Sequence, residues 1–119
     1  MDCIKGMKQF PDKHFDLAIV DPPYGNNLSG GRSAKNGWNP NIDWDKCNKG
    51  WNLNIPGSDY FTELFRVSKN QIIWGANHFM DLIAERSSCW IVWDKLFSAE
   101  VSFASCELAF TSFETVTKR

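Results

Sequence analysis

Long apolar runs, paired cysteines, clustered histidines and surplus positive charge are all missing from this chain, and each absence removes a class of function. No stretch is long and apolar enough to span a bilayer, and no apolar segment of the secretory kind opens the sequence. Cys3, Cys47, Cys89 and Cys106 are irregularly spaced without a Cys-x-x-Cys pair. His14 and His78 stand in no metal-ligand spacing, so no zinc site is expected. The default reading is reduced thiols in a cytoplasmic protein, with Cys89 and Cys106 on strands. Neither a Gly-x-Gly-x-x-Gly fingerprint nor a phosphate-binding P-loop occurs. With 13 Lys and Arg against 14 Asp and Glu the net charge is -1, which conflicts with the basic face of a self-sufficient nucleic-acid binder.

What is present is ordinary in bulk and unusual in one respect. A length of 119 residues allows one domain at most, with a modest core. Aromatic residues make up 14%, including six Trp, which implies a bulky core or stacking surfaces. The pattern alternates in the α/β manner. A short helix is expected over 2–9, capped by Asp2 and ended by Pro11, and a strand over 15–20. A long polar stretch follows over 25–57, rich in Gly and Asn, of a length that is usually functional or disordered. Ser58 is expected to cap a helix over 59–67 that buries Tyr60, Phe61, Leu64 and Phe65. Lys69-Asn70 then turns into a strand over 71–75. A helix over 77–86 directs Phe79, Leu82 and Ile83 inward. Strands over 89–93 and 107–113 flank a loop over 94–104. The last two strands have no helix between them and should pair antiparallel, with the antiparallel strand at the sheet edge.

The most informative junction is Asp21-Pro22-Pro23-Tyr24, which closes the apolar run Phe15-Asp16-Leu17-Ala18-Ile19-Val20. Proline fixes its own φ, removes a backbone donor and holds the preceding residue extended, so Asp21 and Pro22 present their acceptors in set directions. Open α/β sheets bind ligands at the carboxyl ends of their strands. Acceptors beside an aromatic ring suit a flat, amino-bearing substrate, meaning a nucleobase. Weighed against this, a Pro-Pro pair after a strand often does no more than end it.

This junction resembles the catalytic motif of the AdoMet-dependent DNA amino-methyltransferases, which methylate adenine N6 or cytosine N4. The approach to it is similar to that of the circularly permuted beta class: Asp2-Cys3, Gly6-Met7-Lys8, Pro11-Asp12-Lys13 and Phe15-Asp16-Leu17. Further segments follow in the order that class implies: Tyr60-Phe61, Leu64-Phe65-Arg66-Val67, Ile72-Ile73-Trp74-Gly75-Ala76-Asn77, Trp90-Ile91-Val92-Trp93-Asp94-Lys95 and Glu107-Leu108-Ala109-Phe110. The likeness implies a partial Rossmann-like methyltransferase sheet, mostly parallel with an antiparallel last strand. It also implies a catalytic-half fragment of restriction-modification or phage type, acting on DNA.

The chemistry the resemblance implies is specific. The Asp21 carboxylate and Pro22 carbonyl would accept the hydrogens of an exocyclic amine and free its lone pair to take a methyl group from S-adenosyl-L-methionine. Tyr24 would stack on a flipped base and Pro23 would stiffen the turn. The acidic first residue of the motif leans toward adenine N6 over cytosine N4. Asp2 resembles the acidic residue that approaches the cofactor's adenine, and a plain helix cap explains it equally well. Trp38, Trp44 and Trp51, interleaved with Lys35, Lys46 and Lys49, form a candidate DNA-contacting loop, or simply fold that loop onto the core. Trp74, Trp90 and Trp93 are expected in the core. Asn77, Asp94 and Lys95 are expected just beyond strand ends, with turn-forming duty the plainer reading.

The Phe-x-Gly-x-Gly loop with which this family holds AdoMet is absent from the sequence. In the beta class that loop lies beyond the recognition region, so both ends of the chain look cut, and a complementary chain carrying the loop and recognition region is an expected partner. Two alternatives stay open. One is a catalytically inactive remnant that serves as a binding module for a partner chain or nucleic acid. The other is a small α/β enzyme of different chemistry, which would need a nucleophile and base that His14 and His78 do not supply.

Overall fold

The computed structural model describes residues 2–25, 54–96 and 104–116. The chain forms two compact units, one of Met1–Pro22 with Pro56–Arg119 and one of Pro23–Ile55. In the smaller unit Gly25 takes a left-handed φ of 68°. A Cβ there would lie 2.6 Å from Ile55 Cγ1, so close approach as well as backbone conformation calls for glycine.

The larger unit is α/β. Helix α1 (Cys3–Met7) is capped as expected: Asp2 accepts from the backbone N–H groups of Ile4 and Lys5 at 3.0 and 3.2 Å. It ends earlier than Pro11 requires, because residues 8–10 close in tighter turns. Strand β1 (Phe15–Val20) matches its expected span. Helix α2 (Ser58–Val67) buries Phe61, Leu64 and Val67, while Tyr60 and Phe65 are half-buried. Gly57, not Ser58, is its N-cap, and no side chain caps it; Ser58 opens the first turn.

Strand β2 (Ser68–Trp74) starts directly from α2 with no intervening turn, so Lys69 and Asn70 are strand residues. The transition is held by side chains. Ser68 Oγ donates to the Leu64 carbonyl, and buried Gln71 donates to the Ser68 carbonyl and hydroxyl at 2.9 and 2.8 Å. These bonds let the backbone switch from helical to extended in one residue without stranding a buried polar group.

The helix expected over 77–86 does not form. Gly75, at φ 64°, leads into a single 3-10 turn over Ala76–His78 and then looser turns. Phe79 and Ile83 are nonetheless buried. Two apolar anchors tie the segment down, in turns whose N–H groups bond the Ala76 and Phe79 carbonyls. Strand β3 (Trp90–Asp94) and strand β4 (Cys106–Thr111) complete the unit. Cys89 lies just before β3, buried, and Cys106 lies in β4, exposed.

The sheet order is β1-β2-β4-β3. β1 and β2 pair in parallel, with Ile19 opposite Ile72; β4 pairs antiparallel with β2 and with β3. The antiparallel strand is therefore inside the sheet, not at its edge, and β3 takes the edge. Being antiparallel to β4 on either side, β2 and β3 run in the same direction, along with β1.

One sheet face carries Ile73, Phe110 and Trp90 in register and receives α2 through a Phe65–Phe110 ring contact at 6.0 Å, while Phe61 and Phe79, 5.4 Å apart, join α2 to the segment after β2. The opposite face presents Leu17, Ile19 and Trp93, which are 43%, 62% and 53% exposed. Trp74 and Trp90 are half-buried and Trp93 is exposed, so the expectation of three core tryptophans is corrected. Among the described residues no helix is long and apolar enough to cross a membrane.

Candidate functional site

Three co-directional strands bring their carboxyl ends to one edge of the sheet, and that edge collects the polar residues of interest. β1 runs out at Val20 into exposed Asp21 and buried Pro22. The start of β1 is fixed from below by Lys13. Its backbone N–H donates to the Arg66 carbonyl at 2.8 Å, and its ammonium donates to the carbonyls of Phe65 and Ser68 at 2.7 and 3.1 Å. Those bonds set the register of Phe15 against Ser68 and thereby the height at which Asp21 emerges. Pro23 and Tyr24 follow directly in the chain, belong to the smaller unit and are half-buried.

β2 ends at Trp74, and Gly75 donates its N–H to the Leu108 carbonyl at 2.9 Å as the chain turns off the sheet. Asn77 and His78 are exposed on that turn. At the end of β3, Asp94 accepts from Leu96 N–H at 2.9 Å, and Lys95 N–H donates to the Ser105 carbonyl at 2.9 Å. The Lys95 ammonium pairs with Glu107, at the amino end of β4, and stands 5.7 Å from the centre of the Trp93 ring. Asn77, Asp94 and Lys95 therefore share an edge with Asp21. Trp93 and Glu107 join them, and sequence reasoning missed both. The alternation of Trp90-Ile-Val-Trp93 leaves open which face is covered.

Asp2 is elsewhere, at the start of α1. Its carboxylate is engaged as a helix cap, which is the plainer of its two readings. Tyr60 lies close enough to feel Cys3, and its phenol is pushed up to about 12, first by burial and then by electrostatic interaction with Cys3. Lys35, Trp38, Trp44 and Lys46, with Lys49 and Trp51, lie outside the described residues.

The residues described do not assemble an AdoMet site. Asp2 is committed to the two N–H groups of α1, and Gly75, the glycine that follows β2, is succeeded by Ala76 and Asn77 and not by a glycine loop. No group of three or more His, Cys, Asp or Glu among the described residues is arranged to hold a metal ion. The edge offers instead the exposed Asp21 carboxylate before Pro22 and, at the end of β3, an indole with an ion pair. No protein-family model matches the chain, and no curated protein matches it either.

Proposed function

We propose that this chain is the base-binding half of an AdoMet-dependent DNA amino-methyltransferase, with adenine N6 its more natural target. The carrying observation is that Asp21 emerges, exposed, at the carboxyl end of β1 on an edge to which β2 and β3 also point, followed at once by buried Pro22. That is where an open α/β sheet binds ligands. The finer reading of the sheet, as part of a Rossmann-like methyltransferase fold, rests on the same co-directional strands interrupted by one antiparallel strand.

In this reading the Asp21 carboxylate and the Pro22 carbonyl accept the two hydrogens of an exocyclic amine. Acceptors fixed in advance stabilise the positive charge that grows on nitrogen and cost no reorganisation when it does. Pro23 limits the turn to one conformation, and Tyr24 offers its ring to a base extruded from the duplex. AdoMet is the methyl donor that the resemblance implies. Its site is not formed by the residues described, so a complementary chain is the natural partner. Strand β1, whose outer edge has no strand partner among the described residues, is the natural place for it. A reducing cytoplasm suits the free Cys3, Cys89 and Cys106 thiols and DNA chemistry alike.

The reading is tested by transfer of labelled methyl groups from AdoMet to unmethylated DNA by the chain mixed with a complementary chain that carries the Phe-x-Gly-x-Gly loop. Transfer is expected to fall by about 100-fold or more in Asp21→Ala, the usual scale for removing one preorganised polar partner. No transfer by that mixture would favour a catalytically inactive binding module, the reading to which the engaged Asp2 carboxylate lends support.

A further inference from the structure

We infer that Trp93 and Lys95 form a nucleotide-stacking subsite on the same sheet edge as Asp21, gripping the strand that flanks the target base. The inference rests on the function proposed above, and on features that it does not use. Trp93 is 53% exposed although it lies within a strand, and its indole is held rather than loose. The ring meets Trp74 edge-on at 6.1 Å, with planes at 75°, and Lys95 adds a cation–π contact. A large, flat, oriented and exposed ring is the usual platform for a base, because every base has a face to stack.

Lys95 supplies the second element. Its ammonium has three protons, and Glu107 takes one, leaving capacity to donate to a phosphate oxygen. Its backbone is fixed on both sides. Lys95 N–H extends the ladder to Ser105, and Asp94 closes a tight turn onto Leu96. Leu96 sits at φ 55°, a left-handed conformation that a leucine adopts only at a cost. The turn thus fixes the backbone from which Lys95 extends toward Trp93.

Spacing ties the two subsites together. Trp93 lies three strands from β1 in the order β1-β2-β4-β3. At ~4.8 Å per strand, the separation along the edge is about 14 Å, or about four steps of a duplex at 3.4 Å per step. A strand whose base enters at Asp21 therefore passes Trp93 within the footprint of one short recognition site. A local contact of this kind is also compatible with a net charge of -1, since stacking supplies affinity that an electrostatic face does not.

The test is fluorescence polarisation of a dye-labelled oligonucleotide with one unpaired adenine, titrated with the full chain in the absence of AdoMet. Binding is expected to weaken roughly tenfold or more in Trp93→Ala and to be largely retained in Trp93→Phe, which keeps an aromatic face. Lys95→Gln should flatten the salt dependence. Circular dichroism confirms that each variant is folded. No binding by the unaltered chain, or equal affinity for Trp93→Ala, overturns the inference. So does sedimentation showing that Trp93 joins two copies of the chain without oligonucleotide. Methyl transfer with unchanged Trp93→Ala affinity sinks this subsite alone. Trp93-dependent binding without any methyl transfer sinks the catalytic reading alone.

Discussion

The Thr111 hydroxyl donates to the Cys89 carbonyl at 2.7 Å, across the gap between the last residue of β4 and the residue before β3. Thr111 is fully buried, and Cys89 nearly so. The bond extends the β3–β4 pairing by one residue where the chain has left the regular ladder, and it shares the Cys89 carbonyl with the Ser87 hydroxyl, which donates at 2.8 Å. Thr111→Val keeps the shape and removes the donor. It should cost about 0.5–1.5 kcal/mol, the net worth of one hydrogen bond, because the Ser87 hydroxyl still donates to the Cys89 carbonyl; the cost is measured as a shift in the urea midpoint at unchanged slope. A midpoint within error of the parent would show that the bond contributes nothing.

Arg66 ties α2 to the stretch over residues 7–12, which is distant in sequence. It donates to Asp12 at 2.7 Å, to Glu63 at 2.9 Å, and to the carbonyls of Phe10 and Met7 at 3.0 and 3.1 Å. Glu63 first, then Asp12, hold the guanidinium above its ordinary range. Lysine cannot reproduce this fork of planar donors. Arg66→Lys and Arg66→Ala should therefore lower the thermal midpoint by similar amounts, a few degrees each. Full rescue by lysine would reduce the contact to simple charge.

Tyr60 makes stability depend on alkaline pH. Its folded value of about 12 lies above the ordinary 10.0, because burial and then Cys3 disfavour the phenolate. The contribution is therefore complete below pH 10 and is lost as pH rises through 12. Thermal melts across that interval should show a decline that Tyr60→Phe lacks. Parallel declines in both proteins would assign the effect to other groups.

Ile19 is 62% exposed on β1, next to Leu17 at 43% on the same face. An edge strand of this kind invites pairing with another chain. Ile19→Lys should leave folding stability nearly unchanged while raising the concentration at which light scattering appears. A large loss of stability would mean that the side chain is covered in solution.

Much of this architecture follows from local chemistry. The β1 span, the Asp2 cap and the inward faces of α2 each depend on residues within a few positions of one another, so period and capping rules reach them. The same is true of the turn after β1: Pro22 restricts Asp21, and Pro23 restricts Pro22, whatever surrounds them.

Other features depended on partners distant in the chain. The segment after Gly75 carries the apolar spacing of a helix, yet Phe79 and Ile83 are buried without one, in successive turns whose N–H groups bond the Ala76 and Phe79 carbonyls while the Phe79 ring packs on Phe61. Ser68 ends one element and begins the next because Leu64 and Gln71 satisfy its polar groups. The place of β4 inside the sheet, and with it the exposure of Trp93, was decided by strand pairing over tens of residues. Strand order is a property of the assembled hydrogen-bond ladder. An isolated run such as Trp90–Asp94 has two faces and two edges, and only its neighbours determine which are buried.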